Sequence, residues 1–299
     1  MNRWWWLTIG FVCWMAIGFA AFGGRESRVD SEFAQSKGRA ERIVSLAPSL
    51  TEILFALGLD EEIVGVTLFS DYPPAAAKKP KVGSFWKPNI EAVVAARPDL
   101  VITLGFAQHR SLADRLERIG YNCLTVDVEK VSDLFRVIVE IGAASGTQGR
   151  AEDLAGGIKN KLQALSDLIG TEEKVRVLWI VQRQPLRVAG RDTFVNEMIE
   201  LAGGENAIGT TIHKYPPIGA EQIIASRAEV IIEPAMGQED LNLQRRQAFK
   251  YWSKFGNLPA VGNDRIYVIS GDTVSRLGPR LYDGTETIAR CLRPHLFED

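Results

Sequence analysis

Cysteine and histidine are both scarce, three of each in 299 residues. So few cysteines rule out a disulfide-built scaffold. His109, His213 and His295 are far apart in the chain. Only His109 and His213 fall in predicted loops, so a cleft would find at most two imidazoles, and no metal ligand set is assigned. The chain has no GxSxG, GxxxxGK[ST], HExxH or CxxC, which leaves hydrolase, phosphate-loop, zinc-protease and thiol-redox chemistry without a signature. The glycines from Gly142 to Gly149 follow a predicted helix rather than a strand, so they do not form a dinucleotide fingerprint. No catalytic residue is assigned. Runs rich in Lys and Arg are absent too, and the net charge is −2 with 24% charged residues. Nucleic acid is disfavoured as a partner, because neutralising phosphates needs a basic face.

One stretch lacks charge altogether, from Trp4 to Phe22, preceded by Arg3 and followed by GGRESR. A basic start, an apolar run and small residues at Ala20–Gly24 read as a signal peptide or N-terminal membrane anchor over residues 1–24. The run is long for a signal core and at the lower limit for a spanning helix of about 20 residues. Export with cleavage near Ala20–Gly24 is favoured over a retained anchor. Either reading places the body in the periplasm or otherwise outside the cytoplasm. Cys13 is not expected to carry lipid, because GFVC lacks the small residues of a lipoprotein signal. Residues 25–40 read as a flexible tether. Cys123 and Cys291 remain, one in each half, and are expected as free, mostly buried thiols.

The rest alternates short apolar strands with helices, the pattern of a mostly parallel sheet covered on both faces. Ser49-x-x-Glu52 reads as a capping box, Ser111–Ile119 as a helix, and Pro279 as the opening of a closing helix. Leu154, Ile158, Leu162, Leu165 and Ile169 recur at steps of three and four, marking an amphipathic helix from Gly149. Gly156-Gly157 is its weak point: the helix either bends there or starts after it. On either side a phrase repeats. Asn89-Ile-Glu91-Ala-Val-Val-Ala-Ala-Arg97 aligns without gaps on Gly219-Ala-Glu221-Gln-Ile-Ile-Ala-Ser-Arg227, 130 residues later. The expected fold class is α/β: two Rossmann-like lobes (41–148 and 171–299) joined by a single long helix (149–170), with a ligand cleft between them.

In such sheets ligands bind at the carboxyl ends of the strands. Loops there carry Phe69, Tyr72, Phe85 and Trp86 in the first half and Tyr215 in the second, which suits a large, partly apolar ligand. Arg183, Arg187, Asp272, Arg276 and Arg280 are candidate polar anchors, with an ion pair to Asp272 or Asp283 as the alternative for the last two arginines. Glu91 and Glu221 sit in first helical turns, where a carboxylate gains about 0.3–1 kcal/mol. They also offer one acidic knob per half to a two-fold partner.

The ordered set RIVSLAPSLTEILFALG, SDYPP, NIEAVVAARPDLVI, AGGENAIG, AEQIIASRAEVII, LPAV and RLGPR resembles the periplasmic binding proteins of vitamin B12 and iron-chelate import, most nearly their cobalamin-binding members. The resemblance implies a monomeric, non-catalytic receptor that captures a corrinoid and delivers it to an ABC permease dimer in the inner membrane. The receptor would have no cofactor of its own, any metal arriving inside the chelate. Ligand contacts would fall on Phe69, Phe85, Tyr215, Asp272 and Arg276, and permease docking on Glu91 and Glu221. Arg187 replaces a ligand-facing aromatic, and together with Arg183 and Tyr72 it keeps a ferric siderophore or haem open as the ligand. The disulfide of such proteins would join the positions of Ala202 and Cys291, and so is missing. A membrane-anchored sensor and an enzyme on the same scaffold are the remaining alternatives.

Overall fold

Apolar runs of three to five residues, too short for helices, build most of two parallel sheets in a computed structural model that describes residues 39–235 and 240–298. The predicted signal or anchor lies outside the described residues, as does nearly all of the tether. Among the described residues no helix is long and apolar enough to cross a membrane.

The first sheet holds β1 (Ile43–Ser45), β2 (Ile63–Val66), β3 (Leu100–Leu104) and β4 (Cys123–Val126) in the order β2-β1-β3-β4, all parallel. The second is built around β5 (Val175–Arg183). One edge of β5 pairs with β8 (Val230–Ala235), which pairs with β9 (Ile266–Ser270). β5 also pairs with β6 (Leu186–Val188), antiparallel, and with β7 (Gly204–Asn206), parallel. Without β6 the order β7-β5-β8-β9 copies that of the first sheet. The longer helices are α1 (Pro48–Ala56), α2 (Ile90–Ala95), α3 (Ala107–Arg118), α4 (Val131–Ser145), α5 (Gln148–Ile169), α6 (Phe194–Leu201), α7 (Ala220–Ser226), α8 (Leu241–Trp252) and α9 (Leu281–Leu292).

The repeated phrase is a structural repeat. Its two arginines, Arg97 and Arg227, both take left-handed backbone (φ 46° and 48°), uncommon for a non-glycine residue. Around each the same staple forms. Asp99 accepts from the Arg42 backbone N–H at 3.1 Å, and the Arg42 guanidinium donates to the carbonyls of Ala96 and Arg97 at the end of α2. Glu229 accepts from the Arg176 N–H at 2.8 Å, and the Arg176 guanidinium donates to Ser226 O at the end of α7.

The connecting helix α5 runs unbroken through Gly156-Gly157 for 22 residues, about 33 Å. The later start allowed by the sequence is therefore not observed. Ala151, Ala155, Ile158, Leu162, Leu165 and Ile169 are buried, and Leu154 is half-buried. A side chain at Gly142 would meet Ala151 Cβ at 2.3 Å, so glycine there is what lets α4 and α5 approach. The buried face of α5 belongs to one hydrophobic cluster that includes Ile43, Leu50 and Ile102 of the first lobe and Val177, Val230 and Ile288 of the second. The outer faces of the sheets have separate cores.

Both described cysteines are free thiols, Cys291 buried and Cys123 half-buried, and burial pushes each up to about 12. Beside Ala202, the buried Arg293 donates to Gly203 O at 3.0 Å and Glu173 O at 2.7 Å and pairs with Glu172. Hydrogen bonds tie this segment together.

Three local expectations are corrected. Helix α1 has Ala47 as its N-cap, with Pro48 in the first turn and no side-chain cap, because alanine carries no acceptor and Ser49 already lies inside the helix. Helix α3 begins at Ala107, so His109 is helical and buried rather than in a loop. Helix α9 begins at Leu281, with Arg280 as its N-cap and Pro279 in the preceding turn.

Candidate functional site at the strand ends

The carboxyl ends of the two sheets meet. Asp71 and Tyr72 follow β2, and Glu52 lies in α1 just after β1; from the other lobe they face Arg276 and Arg280, which follow β9. Arg280 grips the Glu52 carboxylate with two nitrogens, Nε to Oε2 at 2.8 Å and Nη2 to Oε1 at 2.6 Å. Its guanidinium also lies 3.8 Å from the centre of the Tyr72 ring. Arg276 reaches Asp71 at 2.9 Å, Glu52 at 3.4 Å and Asp272 at 3.6 Å. The Glu52 side chain is only 3% exposed, so the fork-to-fork pair is desolvated. Three carboxylates thus surround two guanidiniums, and the arginines read from the sequence as ligand anchors already bridge the lobes. A second bridge joins Lys214, after β7, to Glu129, after β4, at 2.7 Å. Beside it the Glu197 carboxylate of α6 accepts from Val131 N–H at the start of α4, at 2.6 Å.

The loops between these contacts carry the aromatics. In the first lobe Phe69 and Trp86 are 63% and 72% exposed and Tyr72 is 45% exposed. Leu68 N–H donates to Gly83 O, which sets the Phe69 loop against the loop of Phe85 and Trp86. That second loop turns at Gly83, where φ is +107° and a Cβ would lie 2.6 Å from Asn89 N. Phe85 packs edge-on to Trp86 at 4.9 Å and lies 5.3 Å from Phe106. In the second lobe Arg187 on β6 donates to Tyr215 O at 3.0 Å. Backbone bonds from Val188 and Gly190 hold the Tyr215 loop along this edge. Arg183, another sequence candidate, is committed to the buried Glu233, which also accepts from the Trp252 indole.

The predicted ligand residues therefore fall into three groups: Phe69, Phe85 and Trp86; Tyr72, Asp272 and Arg276; and Arg187 with Tyr215. Sequence reasoning placed His109 in a loop and left out Phe106, both of which support the first group, and it left out Ile212, which is 98% exposed three residues before Tyr215. It also assigned Glu52 to a cap. Each of these has an ordinary local reading, and only the tertiary placement distinguishes it. Glu91 and Glu221 occupy the same position in α2 and α7 and are exposed, and their carboxylates make no hydrogen bond or ion pair among the described residues.

A profile of the family described as periplasmic binding protein matches residues 43–273. The chain belongs to this family, whose members serve ABC importers. It is 31% identical over 271 residues to the uncharacterized ABC transporter substrate-binding lipoprotein YvrC of Bacillus subtilis, covering 88% of this chain and 83% of the relative. The crystal structure of the periplasmic vitamin B12 binding protein BtuF of Vibrio cholerae superposes with a TM-score of 0.73 at 26% identity, over 87% of this chain and 99% of that one. The periplasmic heme-binding protein RhuT from Roseiflexus sp. RS-1 superposes with a TM-score of 0.75 at 27% identity, over 87% of this chain and all of that one. The two-lobed α/β architecture of this periplasmic binding protein is thus shared by solved members with different ligands.

Proposed function

We propose that this periplasmic binding protein captures a corrinoid between its lobes and hands it, without chemical turnover, to an ABC permease dimer in the membrane. The reading rests on one observation: the strand-end loops of both lobes face each other, and those of the first lobe expose three large rings. A broad, partly apolar ligand covers such rings and gains about 25 cal/mol per Å² of apolar surface removed from water. Phe69, Tyr72, Phe85 and Trp86 would form one wall, and Arg187 and Tyr215 the other. Asp272 and Arg276 would touch the ligand from the inter-lobe clasp. The likeness to BtuF supports a corrinoid. Haem or a ferric siderophore is the second reading, favoured by Arg187, whose guanidinium gives one of its five donors to Tyr215 O and keeps others for a ligand carboxylate. The names of the relatives support action outside the cytoplasm, and the receptor is proposed to work as a monomer.

Titrating the purified chain with cyanocobalamin, haem and a ferric hydroxamate siderophore separates these readings. One-to-one binding of cyanocobalamin with the ligand recovered unchanged is the expected result. Binding of haem or the siderophore alone would replace the corrinoid, and conversion of any ligand would end the receptor reading. The docking role has its own check. Changing Glu91 and Glu221 together to alanine is expected to leave ligand affinity intact and weaken capture by permease vesicles at least tenfold, the effect of losing about 1.4 kcal/mol. A loss of ligand affinity in that variant would move both glutamates into the cleft.

A further inference from the structure

His109 is fully buried in α3, and neither the fold's core nor the ligand walls proposed above account for it. Its ring is held at both nitrogens. Nε2 lies 2.7 Å from Phe85 O and Nδ1 lies 2.7 Å from Thr103 Oγ1 on β3. A carbonyl only accepts, so Nε2 carries the proton and the Thr103 hydroxyl donates to Nδ1. The imidazole also packs 4.1 Å from the Phe106 ring and 5.3 Å from the Phe85 ring. Phe85 and Phe106 are in turn the rings against which exposed Trp86 rests, at 4.9 and 6.1 Å.

We propose that neutral His109 is the positioning residue of the Phe85–Trp86 platform, tying its loop to β3, and that protonation of His109 releases the platform. The inference rests on the reading of that loop as a ligand wall. An imidazolium would put a charge into a buried, ring-lined site and leave the Thr103 hydroxyl proton without its acceptor, and both are costly in a low-dielectric interior. Among the described residues no carboxylate bonds the ring. Arg110 on the same helix is bonded to Gly105 O and paired with Asp127 beyond β4, Lys87 is exposed at the loop tip, and β3 carries no ionisable side chain. Burial accordingly holds the imidazole below its ordinary value, against the smaller opposing effect of the Phe85 hydrogen bond. The sign follows: the closed platform excludes the proton and the released loop binds it. The platform is therefore intact above about pH 6.5 and lost as pH falls through the depressed value, by up to about tenfold per pH unit once the released form is protonated.

Two measurements on the whole chain test this. Hydrogen exchange of the 83–89 amides in the ligand-free protein, corrected for intrinsic rate, should loosen about tenfold or more between pH 7.5 and 5. In His109→Gln, whose amide keeps a donor for Phe85 O but does not titrate, it should stay flat. Affinity for cyanocobalamin and for haem should follow the same two profiles. Loosening of the loop without binding of either probe would sustain the platform role and reject the ligand reading. A wild-type loop whose protection ignores pH, or a Gln variant that loosens like the wild type, would overturn the proposal. Thr103→Val, which removes only the Nδ1 partner and is the milder variant, should loosen the loop already at pH 7.5, and an unchanged loop there would also count against it.

Discussion

Truncating Glu52 to alanine is expected to lower stability by about 3–5 kcal/mol, the range for removing one partner of a buried ion pair. The size of the effect comes from what is left behind. Arg280 and Arg276 have side chains 13% and 19% exposed, and without Glu52 the Arg280 guanidinium loses both of its carboxylate bonds. Asp71 and Asp272 still face Arg276 but are more than half exposed, so they compensate little. Glu52→Gln keeps one amide oxygen for Arg280 and should cost less than the alanine change. Urea unfolding followed by circular dichroism measures both. A loss below about 1 kcal/mol for the alanine variant would mean that the clasp is a solvated contact with no structural weight.

Leu165→Ala in the connecting helix should cost about 2–5 kcal/mol, as for other buried leucines. Leu165 is 3% exposed and lies in the cluster that takes in residues of both lobes. The change should therefore lower the unfolding of both sheets together, in a single calorimetric transition whose calorimetric and van't Hoff enthalpies agree. Two separated transitions, with only one displaced by the substitution, would show that each lobe owns its core and that α5 is no more than a spacer.

The element order, the two matching sheets and the connecting helix were legible because each rests on local chemistry. Periodicity marks the buried face of α5, Asn89 caps α2, and the repeated Glu and Arg at one spacing predicted a duplicated unit that the two left-handed arginines then revealed. The placement of the candidate site's aromatics was legible, since large rings in strand-end loops stand out wherever the strands themselves are recognised. What stayed hidden depends on distance in sequence. Glu52 fits a local capping pattern, and its real partner lies 228 residues downstream. His109 sits in a run of loop-like composition, and nothing in that run announces the Phe85 carbonyl 24 residues upstream. Arg183 and Arg187 look alike in sequence, yet the first is neutralised by a buried glutamate and the second donates to a backbone carbonyl, that of Tyr215.

The hydrophobic cluster shared by the two lobes has a consequence for the energetics of capture. Swinging the lobes apart would expose apolar surface around α5 and strip the partners from a desolvated ion pair, so widely open forms are poorly populated. A receptor with one dominant arrangement loses little affinity to the fraction of time spent incompetent, and little of its contact energy is diverted into domain closure. On the proposed reading, capture then does not wait on a large opening step. On the same reading, ligand release needs work done on the protein from outside.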